Sequence, residues 1–291
     1  LKPATHTVDV QPEEHWEHTI DDSSTRAYKG WGEAFRYRDL LILFVRRDFV
    51  TLYKQTVLGP LWYIIQPLLT TLTFAVIFGG IAGISTDGLP KILFYLSGIT
   101  FWTYFSETLL KISDTFYANQ KLFGKVYFPR IILPVSISIS NLFKLGIQLV
   151  IFLIIYVIYY VQSPSFGPTW HLALLPLLVL VEAVLGLSIG MIISSLTTKY
   201  RDLKFLIQFG IQLLMYASPI VYPLSTVSDR FKLIILANPM TGILEAVKYA
   251  FFGIGVFEWS YLLYSVCFTL VTFLLGMWIF KRVEKTFVDT I

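Results

Sequence analysis

Charge is scarce in this chain, and cysteine is almost absent. Of its 291 residues, 14% are charged and 55% are hydrophobic. Soluble domains carry about 25% charged and about 45–50% apolar residues. The single cysteine, Cys267, rules out an intrachain disulfide, and its place in an apolar run reads as small-residue packing. The phosphate-cradling G-x-x-x-x-G-K-[ST] loop is missing. Its nearest approach, Gly124-Lys125, has Asn119 where the first Gly belongs and Val126 where Ser or Thr belongs. H-E-x-x-H and G-x-S-x-G are missing too. His6, His15 and His18 fall near the start and His171 stands far from them, so the sequence builds no metal cluster. A catalytic role in this chain is not expected.

What is present is apolar length. Runs at 61–84, 92–110, 131–161, 172–196, 205–224 and 259–280 each hold about 20 residues or more, enough to cross about 30 Å of hydrocarbon as a helix. The expected fold is therefore an all-α integral membrane protein with six spans. Lys and Arg alternate between the connecting segments. Segments on one side hold sixteen and those on the other hold four. The richer side belongs in the cytoplasm, with both termini. The net charge of +4 is thus a topology signal and does not point to nucleic acid.

Residues 1–30 are polar and acidic without helical or strand period, which reads as a disordered cytoplasmic tail. Over 31–58, apolar residues from Trp31 to Tyr53 recur at near-helical spacing among Arg36, Arg38, Arg46, Arg47 and Lys54. That pattern fits an amphipathic helix in the inner interface, closed by Leu58-Gly59-Pro60. It serves either as an anchor or as a hinge that moves with the first span. The basic loop from Lys111 to Pro129 has room for a short helix and is either a solvated loop or a docking surface. Residues 223–258 lie outside by charge count, yet they are apolar and punctuated by Pro and Gly. They read as short re-entrant helices between spans 5 and 6, tolerable where protein buries them. Residues 286–291 are a cytoplasmic end.

Two polar stripes interrupt the apolar helices. Tyr63, Gln66, Thr70 and Thr73 share one face of the first span, and Gln208, Gln212 and Tyr216 share one face of the fifth. They either line a hydrated path or bond neighbouring helices. Lys144 and Glu182 both fall near mid-depth, where an unpaired charge is costly, so a structural ion pair between them is expected. Glu107 and Lys111 are an i, i+4 pair near the inner interface. The aromatic run with Trp102 and Tyr104 lies deeper than an interface belt. It suits stacking on sugar rings and equally suits helix packing.

Five stretches in order resemble the membrane subunit of ABC-2-type polysaccharide exporters, which move O-antigen, capsule or teichoic acid chains. They are YKQTVLGPLW (53–62), VYFPRIILP (126–134), KYRDLKF (199–205), SPIVYPLS (218–225) and NPMTGILEAVKY (238–249). The resemblance runs from about residue 31 to 285. It implies a homodimer in the bacterial inner membrane, two cytoplasmic ATPase subunits that hold the ATP and Mg, and a lipid-linked glycan as substrate. It assigns Tyr117, Asn119, Gln120, Lys121 and Lys125 to ATPase coupling. Arg46, Arg47, Tyr53, Gly59 and Pro60 fall on the gate helix and its junction. The two stripes, with Trp102 and Tyr104, fall on the conduit. An exporter of a small lipid or drug is the alternative within transport. A membrane glycosyltransferase or polymerase is the alternative outside it, but the outer acidic residues Asp87, Asp229, Glu245 and Glu258 do not cluster in sequence.

Overall fold

A computed structural model describes residues 37–55, 59–123, 128–162, 165–198, 200 and 202–288. The proposed tail at 1–30 lies outside them, as do residues 289–291. Every regular element among the described residues is a helix. Helix α1 spans Arg38–Gln55, α2 Trp62–Phe74, α3 Lys91–Ser113, α4 Thr115–Ala118, α5 Gln120–Phe123 and α6 Ile132–Gln162. After them come α7 Leu175–Thr197, α8 Leu203–Ala217, α9 Asp229–Leu236, α10 Pro239–Phe252 and α11 Trp259–Val288. The α2 helix continues as a widened turn over Ala75–Ile81.

Among the described residues, four stretches are long and apolar enough to cross a membrane: Trp62–Ile81, Ile132–Gln162, Trp170–Thr197 and Trp259–Glu284. The expected span at 92–110 is the helix α3, but Ser, Thr and Tyr dilute its apolar character and it sits inside the bundle. The expected span at 205–224 is cut short. Its helix α8 has 15 residues, about 22 Å at 1.5 Å per residue. Ser218 turns extended there (φ −94°, ψ 155°), ahead of Pro219, which has no N–H to continue the ladder.

Burial is inverted relative to a water-soluble bundle. On α6, Ser136, Asn141, Lys144 and Gln148 are buried while Phe143, Val150, Leu153 and Ile154 are exposed. On α11, Ser265 and Thr269 are buried while Leu263, Leu270 and Leu274 point outward. Cys267 lies on that outward face rather than in the packing. Hydrocarbon around the bundle makes this arrangement favourable, because polar side chains then find partners only inside.

The core forms around α3, which touches α2, α6, α7, α8 and α10 and is buried at 16 of its 23 residues. The α7–α11 pair packs closely. A Cβ on Gly276 would stand 2.8 Å from the Ser188 carbonyl oxygen, so only glycine permits the approach.

Within α2, Pro67 leaves the Tyr63 carbonyl without its usual i+4 donor. Gln148 on α6 supplies one, its Nε2 donating to Tyr63 O at 3.3 Å. The α10 helix has clean ends. Asn238 accepts from the Met240 N–H at 3.0 Å, Pro239 opens the first turn, and Gly253 closes the last at φ +67°. Protein surrounds α10, with 13 of its 14 residues buried. Burial by protein was the condition expected of both short helices in that segment, and α10 alone meets it, since α9 buries none of its residues.

Candidate functional site

The two polar stripes lie on neighbouring helices and face out of the protomer. Gln66 and Thr73 on α2 are exposed, and Tyr63 and Thr70 are half-buried. The Thr70 hydroxyl donates to Gln66 O at 2.9 Å and that of Thr73 to Leu69 O at 2.8 Å, so their polar groups are satisfied within the helix. Gln208, Gln212 and Tyr216 are exposed on α8. Aromatic contacts join the helices at their C-terminal ends. The Tyr216 ring stacks on Phe74 with centroids 6.5 Å apart, and Phe78 meets it edge-on at the same distance.

Trp102 and Tyr104 do not share that surface. They are 4% and 3% exposed in the central helix α3. Trp102 packs on Phe105 at 5.5 Å, and the Tyr104 hydroxyl lies 3.3 Å from Ser138 Oγ. The aromatic run is core packing, and neither residue can line a path on the protomer surface in this conformation.

The expected Lys144–Glu182 pair is not formed. Lys144 pairs with Glu107 on α3, which also stands 3.7 Å from Lys111. The sequence put Glu107 nearer the inner interface than Lys144, yet α3 packs against both α6 and α7 and brings Glu107 to the lysine. Glu182 is wholly buried, and neither of its carboxyl oxygens finds a hydrogen-bond partner among the described residues.

The Lys144 contact belongs to a wider polar network at one end of α3. Lys111 Nζ donates to Asn141 Oδ1 at 2.8 Å, and Asn141 Nδ2 donates to Thr108 Oγ1 at 3.0 Å. Lys144 Nζ stands 4.9 Å from the centre of the Tyr63 ring. Asp48 on α1 accepts from Ser140 at 3.2 Å and pairs with Arg47 at 3.0 Å. A cavity of about 400 Å³ lies among Arg47, Asp48, Tyr63, Lys111 and Asn141. Arg47 is thereby tied to this network, while Arg46 faces outward. Gly59 takes φ +48° with open space around it, which suits a pivot between α1 and α2. The Tyr53 and Pro60 side chains lie outside the described residues.

The short helices α4 and α5 rest on the far end of α11. Phe116 stacks on Phe280 at 4.8 Å and meets Phe123 at 5.9 Å. The Arg130 backbone N–H donates to Glu284 Oε1 at 3.1 Å, and its guanidinium donates to Glu284 O at 3.2 Å. Tyr117 and Gln120 are exposed on this platform, and Asn119 Nδ2 donates to Thr115 O at 3.0 Å. Lys125 and the Lys121 side chain lie outside the described residues.

One charged pair was missed in the sequence. Glu245 and Lys248 on α10 pair at 3.2 Å, each 3% exposed. Lys248 also donates to Pro219 O and sits 4.2 Å from the Phe94 ring centre. Glu245 accepts from the Val256 N–H at 3.2 Å. The i, i+3 spacing inside an otherwise apolar segment was the available signal. The pair pins α10 to the turn that ends α8.

Residues 39–252 match the family described as ABC-2 type transporter. The chain is 28% identical over 222 residues to an O-antigen export system permease protein RfbA of Myxococcus xanthus, covering 76% of this chain and 83% of that one. A protein of the same description from Klebsiella pneumoniae is 28% identical over 253 residues, 86% of this chain and 94% of its own. The polysialic acid transport protein KpsM of Escherichia coli is 25% identical over 240 residues, 82% of this chain and 91% of its own. With its helical bundle, inverted burial and a family match across more than half its length, the chain belongs to the ABC-2 type transporter family.

Proposed function

We propose that this chain is the permease subunit of an ATP-driven exporter that carries a lipid-linked polysaccharide, O-antigen in the first instance, across the bacterial inner membrane. The observation that carries the reading is the row of neutral polar side chains exposed on α2 and α8, Gln66, Thr73, Gln208, Gln212 and Tyr216, among exposed apolar neighbours such as Leu69 and Phe209. Such a surface is unfavourable against lipid and favourable against a second copy enclosing a hydrated path. Two copies would bring four stripe-bearing helices around one conduit. The permease relatives, described as exporting O-antigen and transporting polysialic acid, support a sugar polymer as cargo.

In this reading α3 and α8 complete six membrane-crossing elements, α8 with help from the turn at 218–224. Both termini lie in the cytoplasm, and α9 and α10 dip into the outer leaflet. Two ABC ATPase subunits dock on the platform of α4 and α5. ATP binding and hydrolysis belong to them, with Mg as their cofactor. The permease supplies position rather than chemistry. Tyr63, Gln66, Thr70, Thr73, Gln208, Gln212 and Tyr216 offer neutral hydroxyl, amide and ring contacts, each weak, so a long chain slides along them without being held. The Lys144–Glu107–Lys111 network holds the inner end of α2 and seats α1, which acts as gate.

The test is Gln208→Leu with Gln212→Leu. Export of surface glycan is expected to fall while the protein still assembles with its ATPase. Full export would remove α8 from the conduit.

A further inference from the structure

The first turn of α8 meets the coupling platform through one ion pair. Asp114 stands between the last residue of α3 and the first of α4, and its Oδ2 accepts from Lys204 Nζ at 2.7 Å. The two side chains are 27% and 49% exposed, so the pair adds little to the stability of the fold. Its importance lies in its position. Helix α8 buries one residue, Ile211, among 15, so few contacts within its own chain oppose a shift driven from its end. Asp114 belongs to the platform instead. Its carbonyl accepts from the Ala118 N–H at 2.9 Å, and the adjacent Ser113 carbonyl accepts from Thr197 Oγ1 at 2.8 Å.

A cavity of about 260 Å³ opens beside the pair, lined also by Tyr117, Thr197 and Phe205. The end of α8 therefore has room to shift. Lys204 also heads the series Lys204, Gln208, Gln212 and Tyr216, spaced four residues apart along α8. We propose that the Asp114–Lys204 pair is the strut that passes movement of the ATPase platform to α8 and so to its polar stripe. This rests on the reading of α4 and α5 as the ATPase dock. Asp114 and Lys204 are positioning residues that touch neither nucleotide nor glycan.

The test uses the permease assembled with its co-expressed ATPase in native membranes. The variants are Asp114→Lys, Lys204→Asp and the two combined, which swaps the charges. Each single change is expected to lower glycan export about tenfold while ATP hydrolysis by the complex continues, and the swap to restore export within about twofold. Normal export in either single variant overturns the strut, as does a swap no better than the singles. Should a single variant fail to assemble, Asp114→Asn removes the charge at nearly constant shape and is expected to show the same loss of export per ATP. Normal coupling there overturns the strut. Cross-linking from Tyr117→Cys reports separately on the dock. Adducts with the ATPase alongside unaffected single variants overturn the strut alone. Absence of adducts removes the dock, and the strut with it.

Discussion

Replacing Lys144 with Met should be among the more damaging single changes in the bundle. Lys144 is 9% exposed at its side chain and Glu107 is 24% exposed. Met fills the space of the lysine stem but leaves a mostly buried carboxylate facing it. Breaking a buried pair by removing one partner costs about 3–5 kcal/mol. Lys111, 3.7 Å from the same carboxylate, offsets part of the loss, so about 3 kcal/mol is expected. Glu107→Leu combined with Lys144→Met removes both charges and is expected to recover most of it, since an apolar replacement of a whole buried pair is often neutral. Glu182→Leu is the contrasting control. Both Glu182 oxygens lack partners among the described residues, so removing them should be neutral or stabilising by about 1 kcal/mol. The assay is thermal unfolding of the purified complex in one detergent, followed by loss of the monodisperse peak. Equal damage from Lys144→Met and the double variant would refute the reasoning. So would destabilisation by Glu182→Leu matching that of Lys144→Met, which would restore the pairing expected from depth alone.

Three further outcomes follow from the packing. Trp102→Ala should empty a core site at a loss of about 3–5 kcal/mol and lower protein abundance, whereas Tyr216→Ala should lower export at normal abundance; immunoblots of membranes beside surface-glycan measurement separate the two. Gly276→Val should prevent the close approach of α11 to the Ser188 carbonyl, read as loss of the folded peak in size-exclusion chromatography. Gln148→Leu should cost about 1–2 kcal/mol by stripping the donor from the Tyr63 carbonyl. It should cost much less in a Pro67→Ala background, where the residue 67 N–H takes over, as a double-mutant cycle of unfolding midpoints would measure.

Much of the architecture was legible because membrane burial imposes a coarse code. Length and hydropathy located the helices, and positional periodicity placed Gln66 with Thr73 and Gln208 with Gln212 on one face each, though not which way those faces turn. The burial of α10 followed from its excess of apolar residues in a segment too short to span. What periodicity cannot give is which neighbour a face meets. Lys144 and Glu182 matched in depth, yet α3 stands against both of their helices and its Glu107 takes the lysine. The same gap turned Trp102 and Tyr104 from path candidates into core residues, because an aromatic run looks alike against a glycan and against another helix. The length of α8 was overestimated because apolar composition continues through 218–224 after Pro219 has already ended the helix. The pairing of Gln148 with the carbonyl freed by Pro67 depends on contact between helices distant in sequence, which no local pattern encodes.

The central claim is that the faces of α2 and α8 enclose water between two copies of the chain. Single cysteines at Gln66, Gln208 and Gln212, in a Cys267→Ser background, can be probed with a membrane-impermeant maleimide in the assembled exporter. Rapid labelling at these three positions, with none at Leu153 or Leu274 on the apolar outward faces, is the predicted pattern. Labelling of the stripe no faster than that of Leu153 and Leu274 would mean that it faces lipid, and the conduit would not exist.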